Sequence, residues 1–168
     1  SNATSLHEIG TFRLPQNLRI SIARVPYLEK LSYLVDFVSN QNQPGLIYVS
    51  SRKATHQLEG LIRKAIRKKT GFYHAGLSFE ERQAIEKQLL DRTLDLIVCT
   101  SAFGMGMNFT QLRWAVLHHV PPTLLTLTQI IGRVTRGSEW GEARINWNPT
   151  DFQVVEWITQ GKLSRQRE

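Results

Sequence analysis

Cysteine is almost missing from this chain: among 168 residues only Cys99 carries a thiol, so no internal disulfide can form. Its setting, the apolar run "LDLIVCT" from Leu94 to Thr100, marks it as a small buried side chain. A zinc centre wants several Cys or His ligands at suitable spacing. His118 and His119 are adjacent on an expected strand and would face opposite sides, so no metal site is expected. Long apolar runs are missing as well. None approaches the roughly 18 residues of a membrane-spanning helix, and no charged-then-apolar leader opens the chain. The expectation is a cytoplasmic protein with no membrane partner. Repeats and low-complexity tracts are also lacking.

Acids are in short supply. Fourteen Asp and Glu stand against 21 Lys and Arg, a formal charge of +7. Such a surplus is often only a solvated surface, but it also suits an acidic partner such as nucleic acid. The 41% hydrophobic content is ordinary for one domain with a sizeable core.

Ser1-Asn2-Ala3 reads as the scar of a cleaved expression tag, which makes residues 1–3 foreign to the fold and suggests a domain cut from a longer protein. Residues 4–25, with Pro15 and the alternating "LRISIARV", read as a lead-in linker with one possible edge strand. The domain proper is expected over 26–160, followed by a polar tail at 161–168. Within it, Leu46 to Val49, Leu94 to Cys99, Leu112 to Leu117 and Ala143 to Trp147 are short apolar or alternating runs that predict strands. Tyr27 to Asn40, after Pro26, and Ala54 to Lys68 predict amphipathic helices. Ser78 with Glu81 matches a capping box ahead of a helix to about Asp91, and Thr150 with Gln153 offers another before a last helix. Strand and helix alternate, which predicts an α/β fold: a mostly parallel sheet with helices on both faces and ligands outside the carboxyl ends of the strands.

Three strand ends carry unusual sequence. After Leu46 to Val49 come Ser50, Ser51, Arg52 and Lys53. Hydroxyls and backbone N–H groups at a helix start can hold a phosphate beside two cations, although the same residues would serve as an ordinary helix cap. The run "IVCTSAFGMGMN" ends its strand at Thr100 and passes through Gly104 and Gly106, where backbone can approach a ligand or take positive φ. A related end is Tyr73-His74-Ala75-Gly76. In "QIIGRVTRG", Gln129, Gly132, Arg133 and Arg136 combine an amide, a glycine for close approach and two permanent cations. On a helical turn the arginines, three residues apart, would point the same way. Two like charges aimed at one place suit a polyphosphate whose charge grows during bond breaking. The four tryptophans, Trp114, Trp140, Trp147 and Trp157, are better suited to packing than to stacking on bases.

Taken in order, these stretches resemble the second RecA-like domain of a superfamily 2 helicase, and specifically the RecQ family of DNA helicases. "AFGMGMN" resembles that family's motif V, "QIIGRVTR" motif VI, "LIYVSSR" motif IV, and "YHAGL" the segment between motifs IV and V. "LPQNLR", Leu14 to Arg19, resembles the family's lead-in to this domain. The likeness runs from about Leu14 to about Thr159. There are differences: Ile130, Thr135 and Gly137 stand where family members usually have Glu, Gly and Asp, "FT" follows motif V where Lys-Pro is common, and His119 replaces a frequent acid.

The resemblance implies a P-loop NTPase-like fold without its own phosphate loop, since neither G-x-x-x-x-G-K-[ST] nor an Asp-Glu-x-His stretch occurs. It implies that Arg133 and Arg136 act as arginine fingers on ATP held mainly by a preceding RecA-like domain, which would also hold Mg2+. Gln129 would sense the nucleotide with Gly132 and Gly106 beside it, and Asn108 could contact the ribose. Ser50, Ser51, Arg52, His74, Gly76 and Thr100 would face a single-stranded or partly duplex DNA backbone. The implied parent is an ATP-dependent DNA helicase of repair or recombination, with this piece inactive alone. The rival is a helicase-like scaffold that binds DNA or a partner without productive unwinding. A translocase on RNA or duplex DNA fits "AFGMGMN" less well.

Overall fold

The computed structural model describes residues 15–104 and 111–153. In chain order it holds β1 (Leu18–Arg24), a 3-10 turn (Tyr27–Glu29), α1 (Lys30–Ser39), β2 (Gly45–Tyr48), α2 (Arg52–Ala65), β3 (Thr70–Tyr73), α3 (Phe79–Leu90), β4 (Leu96–Cys99), β5 (Trp114–Leu117), α4 (Leu124–Ile131) and β6 (Gly141–Trp147). A helical turn at 149–153 follows. All six strands lie parallel in the order β1-β6-β5-β2-β4-β3.

Burial on both faces explains why β2, β4 and β5 read as unbroken apolar runs: every residue in them is buried. Alternation then sorts the side chains. Ile47, Val98, Trp114 and Val116 meet Leu34, Val38, Leu58 and Ile62 of α1 and α2 on one face. Leu46, Tyr48, Ile97, Cys99 and Leu117 meet Leu89 of α3 and Ile130 of α4 on the other. The expected fold is therefore present, with β4 and β5 shorter than their apolar runs suggest and β6 starting earlier, at Gly141.

Trp114 is the largest of the fully buried side chains. Its indole N–H donates to the Gln43 carbonyl at 2.7 Å, and its ring fills the space where a Cβ on Gly45 would fall, 2.0 Å from Cδ2. Gly45 is thus demanded by its neighbour on the adjoining strand. Cys99 is fully buried, and burial pushes its thiol up in pKa, so it is inert packing. Trp140 departs from the packing expectation at 65% exposed, and Trp157 lies outside the described residues.

Two further expectations need correction. The last helical turn is capped by Asn148 and Asp151, two residues before the pair expected at Thr150 and Gln153: the Asn148 side chain accepts from the Thr150 N–H at 3.1 Å, and Asp151 accepts from the Asn148 N–H at 2.7 Å. Pro149 explains the shift, because its fixed φ and missing N–H suit the first helical position. Asp151 also receives the buried Lys30 ammonium at 3.0 Å, tying this turn to α1. The second correction concerns the histidines. β5 stops at Leu117, so His118 and His119 lie in a bend, with ring centroids 5.5 Å apart, and both line one cleft of about 300 Å³ beside Tyr27, Lys30 and Asp151. The ladder ends there because the Ser50 N–H donates to the His119 ring, at 3.0 Å, instead of to a backbone carbonyl.

Candidate functional site

Parallel strands place all their carboxyl ends along one edge; Ser50, Ser51, His74 and Thr100 follow β2, β3 and β4 there, whereas the chain after α4 carries Arg136 toward the start of β6. α4 begins at Thr123, whose hydroxyl accepts from the Thr126 N–H at 3.1 Å, and it carries Ile130 and Ile131 into the core. Gln129 is left on the exposed side of the same turn. A crevice separates α4 from the loop after β4: Thr100, Ser101 and Phe103 line one wall, Gln129, Ile130 and Arg133 the other.

The arginines do not share a helical turn as expected. α4 ends at Ile131, because the chain tightens there: the N–H groups of Arg133 and Val134 donate to the carbonyls of Ile130 and Ile131, each at 3.1 Å. Arg136 lies in irregular chain beyond. The two cations nevertheless remain electrostatic neighbours. Arg133 has its pKa lowered, first by burial and then by the Arg136 charge. Gly132 has an ordinary φ of −60°, so the backbone does not require glycine there. Gly104 is different. Its φ of +75° lies in the left-handed region, and a Cβ on it would fall 3.0 Å from Arg133 Nε. Glycine here lets the loop after β4 pass against the guanidinium. Gly106 and Asn108 lie outside the described residues.

At the ends of β2 and β3 the polar groups satisfy one another. The Ser51 hydroxyl caps α2 by accepting from the Ala54 N–H at 3.2 Å. Ser50 bonds the His119 ring through its N–H and, at 2.9 Å, through its hydroxyl. His74 is only 7% exposed. Its Nδ1 accepts from the Gly76 N–H at 3.1 Å, so its proton sits on Nε2, facing His56 Nε2 at 2.8 Å. Burial, then His56 and Arg52, lower the His74 pKa. Gly76 brings the chain against Arg52: a Cβ would lie 3.0 Å from its Nη1. Arg52, His74 and Gly76 are thus one cluster, with the His74 ring turned inward and Arg52 exposed.

Sequence reading missed the pairing of Ser50 with His119 and of His56 with His74. The only signal for the first is that His119 follows a strand neighbouring the one that ends two residues before Ser50. The second joins residues 18 apart, one on α2 and one just past the end of β3, which no local pattern discloses. Among the described residues no group of three or more His, Cys, Asp or Glu could hold a metal ion, and no helix is long and apolar enough to cross a membrane.

A six-stranded parallel sheet with helices on both faces and polar loops at its carboxyl edge defines a RecA-like domain of the helicase kind. Solved structures bear out the fold: a DEAD box protein from the hyperthermophile Methanococcus jannaschii matches with a TM-score of 0.74 at 21% identity, over 86% of this chain and 40% of that one. Domain 2 of the DEAD-box helicase Mss116p, bound to an RNA duplex, matches at 0.71 and 17%, over 79% of this chain and 55% of that one. In sequence, residues 29–138 match the helicase conserved C-terminal domain, and the chain belongs to that family, in its RecQ group. It is 34% identical over 132 residues to the probable ATP-dependent DNA helicase RecS of Bacillus subtilis, spanning 79% of this chain and 27% of that protein. The ATP-dependent DNA helicase RecQ of Pasteurella multocida is 30% identical over 146 residues, 86% of this chain and 22% of that protein. The chain therefore spans about a quarter of the length of these relatives.

Proposed function

We propose that this chain is the second motor domain of an ATP-dependent RecQ-like DNA helicase. Arg133 and Arg136 supply guanidiniums to the phosphates of ATP bound mainly by a preceding RecA-like domain, which also holds Mg2+. Gln129 reads the nucleotide state from α4, Gly132 and Gly106 leave room beside it, and Asn108 meets the ribose. What carries this reading is the crowding at the crevice: a partly desolvated Arg133 under the field of Arg136, held against Gly104. A polyphosphate fits that donor set, because placing negative charge between two like charges removes their repulsion. The chemistry ATP supplies is cleavage of its terminal phosphate. This chain's part is to place positive charge where negative charge builds up, and to leave the crevice when the domains separate.

Ser50, Ser51, Arg52, His74, Gly76 and Thr100 form the face toward single-stranded DNA. Arg52 makes the direct phosphate contact, while His74 and Gly76 fix its position. Contacts of that kind read charge and not base, so translocation is largely independent of sequence. The relatives' names, ATP-dependent DNA helicases, support DNA as the track. The test is ATP hydrolysis by the full-length protein with and without single-stranded DNA. DNA-stimulated turnover is the expected result, and an intact protein that binds DNA but never hydrolyses ATP would establish the scaffold reading instead. This domain alone is expected to show no turnover, because it lacks a phosphate loop.

A further inference from the structure

Just before β1, Asn17 reaches across to the chain that follows Arg136. The two hydrogens of its Nδ2 are shared among the carbonyls of Thr135 at 3.4 Å, Gly137 at 3.1 Å and Glu139 at 2.8 Å. Its own carbonyl accepts the Gly141 N–H at 2.8 Å, at the start of β6. Three carbonyl oxygens around one atom settle which end of the amide points there, since an oxygen would face three acceptors. The Thr135 and Gly137 carbonyls belong to the residues flanking Arg136. Gly137, at φ +111°, supplies a backbone turn that side chains rarely allow. A single amide, 118 residues earlier in the chain than Thr135, therefore holds the backbone on both sides of Arg136.

We infer that Asn17 is a positioning residue for Arg136: it fixes the loop from Thr135 to Glu139 so that the guanidinium is presented in one place before the crevice closes. The inference rests on the role proposed above for Arg136. Irregular loops sample many shapes unless they are tied down, and a catalytic group displaced by about 1 Å can lose on the order of 10²-fold in rate. The Asn17 amide is committed to the loop carbonyls, so its removal should act on turnover and leave binding alone.

The experiment compares Asn17→Ala, Asn17→Asp, Asn17→Gln, Arg136→Ala and the Asn17→Ala/Arg136→Ala double variant in the full-length protein. Each is assayed for steady-state ATP hydrolysis with saturating single-stranded DNA, for DNA affinity and for thermal midpoint. Asn17→Ala should lower kcat by roughly 10- to 100-fold with KM for ATP and DNA affinity within about twofold. Asp, which offers no donor to the three carbonyls, should do at least as much harm as Ala, and Gln, which keeps the donor, should recover part of the rate. The double variant should turn over no more slowly than Arg136→Ala alone. Should the Asp variant not fold, Ala and Gln carry the comparison. A kcat within about twofold for Asn17→Ala, or losses that multiply in the double variant, overturns the positioning role. If Arg136→Ala itself keeps its kcat, the arginine assignment has failed, and this inference fails with it.

Discussion

Two polar clusters of this domain are arranged in different ways. Around β2 and β3, Ser51 caps α2, Ser50 bonds His119, and His74 bonds both Gly76 and His56. These groups keep their arrangement with nothing bound, and a phosphate entering there must exchange hydrogen bonds with them. Around α4, Arg133 is partly desolvated within the field of Arg136. On the function proposed above, the first accepts a chain that slides over it and the second responds to one concentrated charge.

The widest separation of the two should come from Arg136→Ala in the full-length protein. Turnover is expected to fall by roughly 10³- to 10⁵-fold, with DNA affinity nearly unchanged, and lysine should not restore it because a point charge lacks the guanidinium fork. A kcat within about twofold of the unmodified protein erases the distinction. Next in size, Gly104→Ala places a side chain at φ +75° and against Arg133. A loss of about 1–3 kcal/mol of unfolding free energy is expected from urea titration; an unshifted midpoint at unchanged cooperativity means the loop relaxes without strain.

Acidification should act on the histidine side alone. Burial, followed by His119 and Lys30, lowers the His118 pKa from 6.5 to about 3, and burial first also lowers those of His119 and His74. The unfolded chain then binds protons that the fold refuses, so stability is full above about pH 6.5 and declines as pH falls toward 3, by at most about 1.4 kcal/mol per pH unit for each histidine. Urea midpoints across that window, with His118→Asn as the flatter control, check the sign. Guanidiniums do not titrate there. The smallest effect is expected at Arg52→Ala: a drop of about 0.7 in the logarithmic salt slope of single-stranded DNA binding, equal for unrelated sequences. An unchanged slope would remove Arg52 from the backbone contacts.

Much of this architecture was readable from periodicity. Buried strands such as Leu46 to Val49 announce themselves as apolar runs, and the Ser78–Glu81 capping box is present as expected, since both depend on neighbours in sequence. Strand ends were less legible. The residues Leu94, Asp95, Leu112 and Arg113 continue apolar runs but lie outside the ladder, whose length is set by the partner strands. The site was legible in its parts and not in its joins. Arg133 and Arg136 stood out by charge and spacing, yet their departure from a shared helical turn follows from how the chain tightens after Ile131. Position 137 illustrates the limit from the other side. Glycine there looked like the loss of an acid, whereas φ +111° makes it a backbone requirement of this loop. Ile130, in place of another acid, is 6% exposed within the core.

Among the described residues β1 lies at the sheet's edge and pairs with β6 alone, in parallel, through seven register pairs from Leu18↔Gly141 to Arg24↔Trp147. The chain enters β1 at one end of that ladder and leaves β6 at the other. Tension applied between those two points pulls the strands past each other along their length, so every pair bears load at once instead of opening in turn like a zipper. Mechanically, the ladder is a lap joint, and force crossing this domain between residues 17 and 148 would meet it before reaching the helices or the crevice.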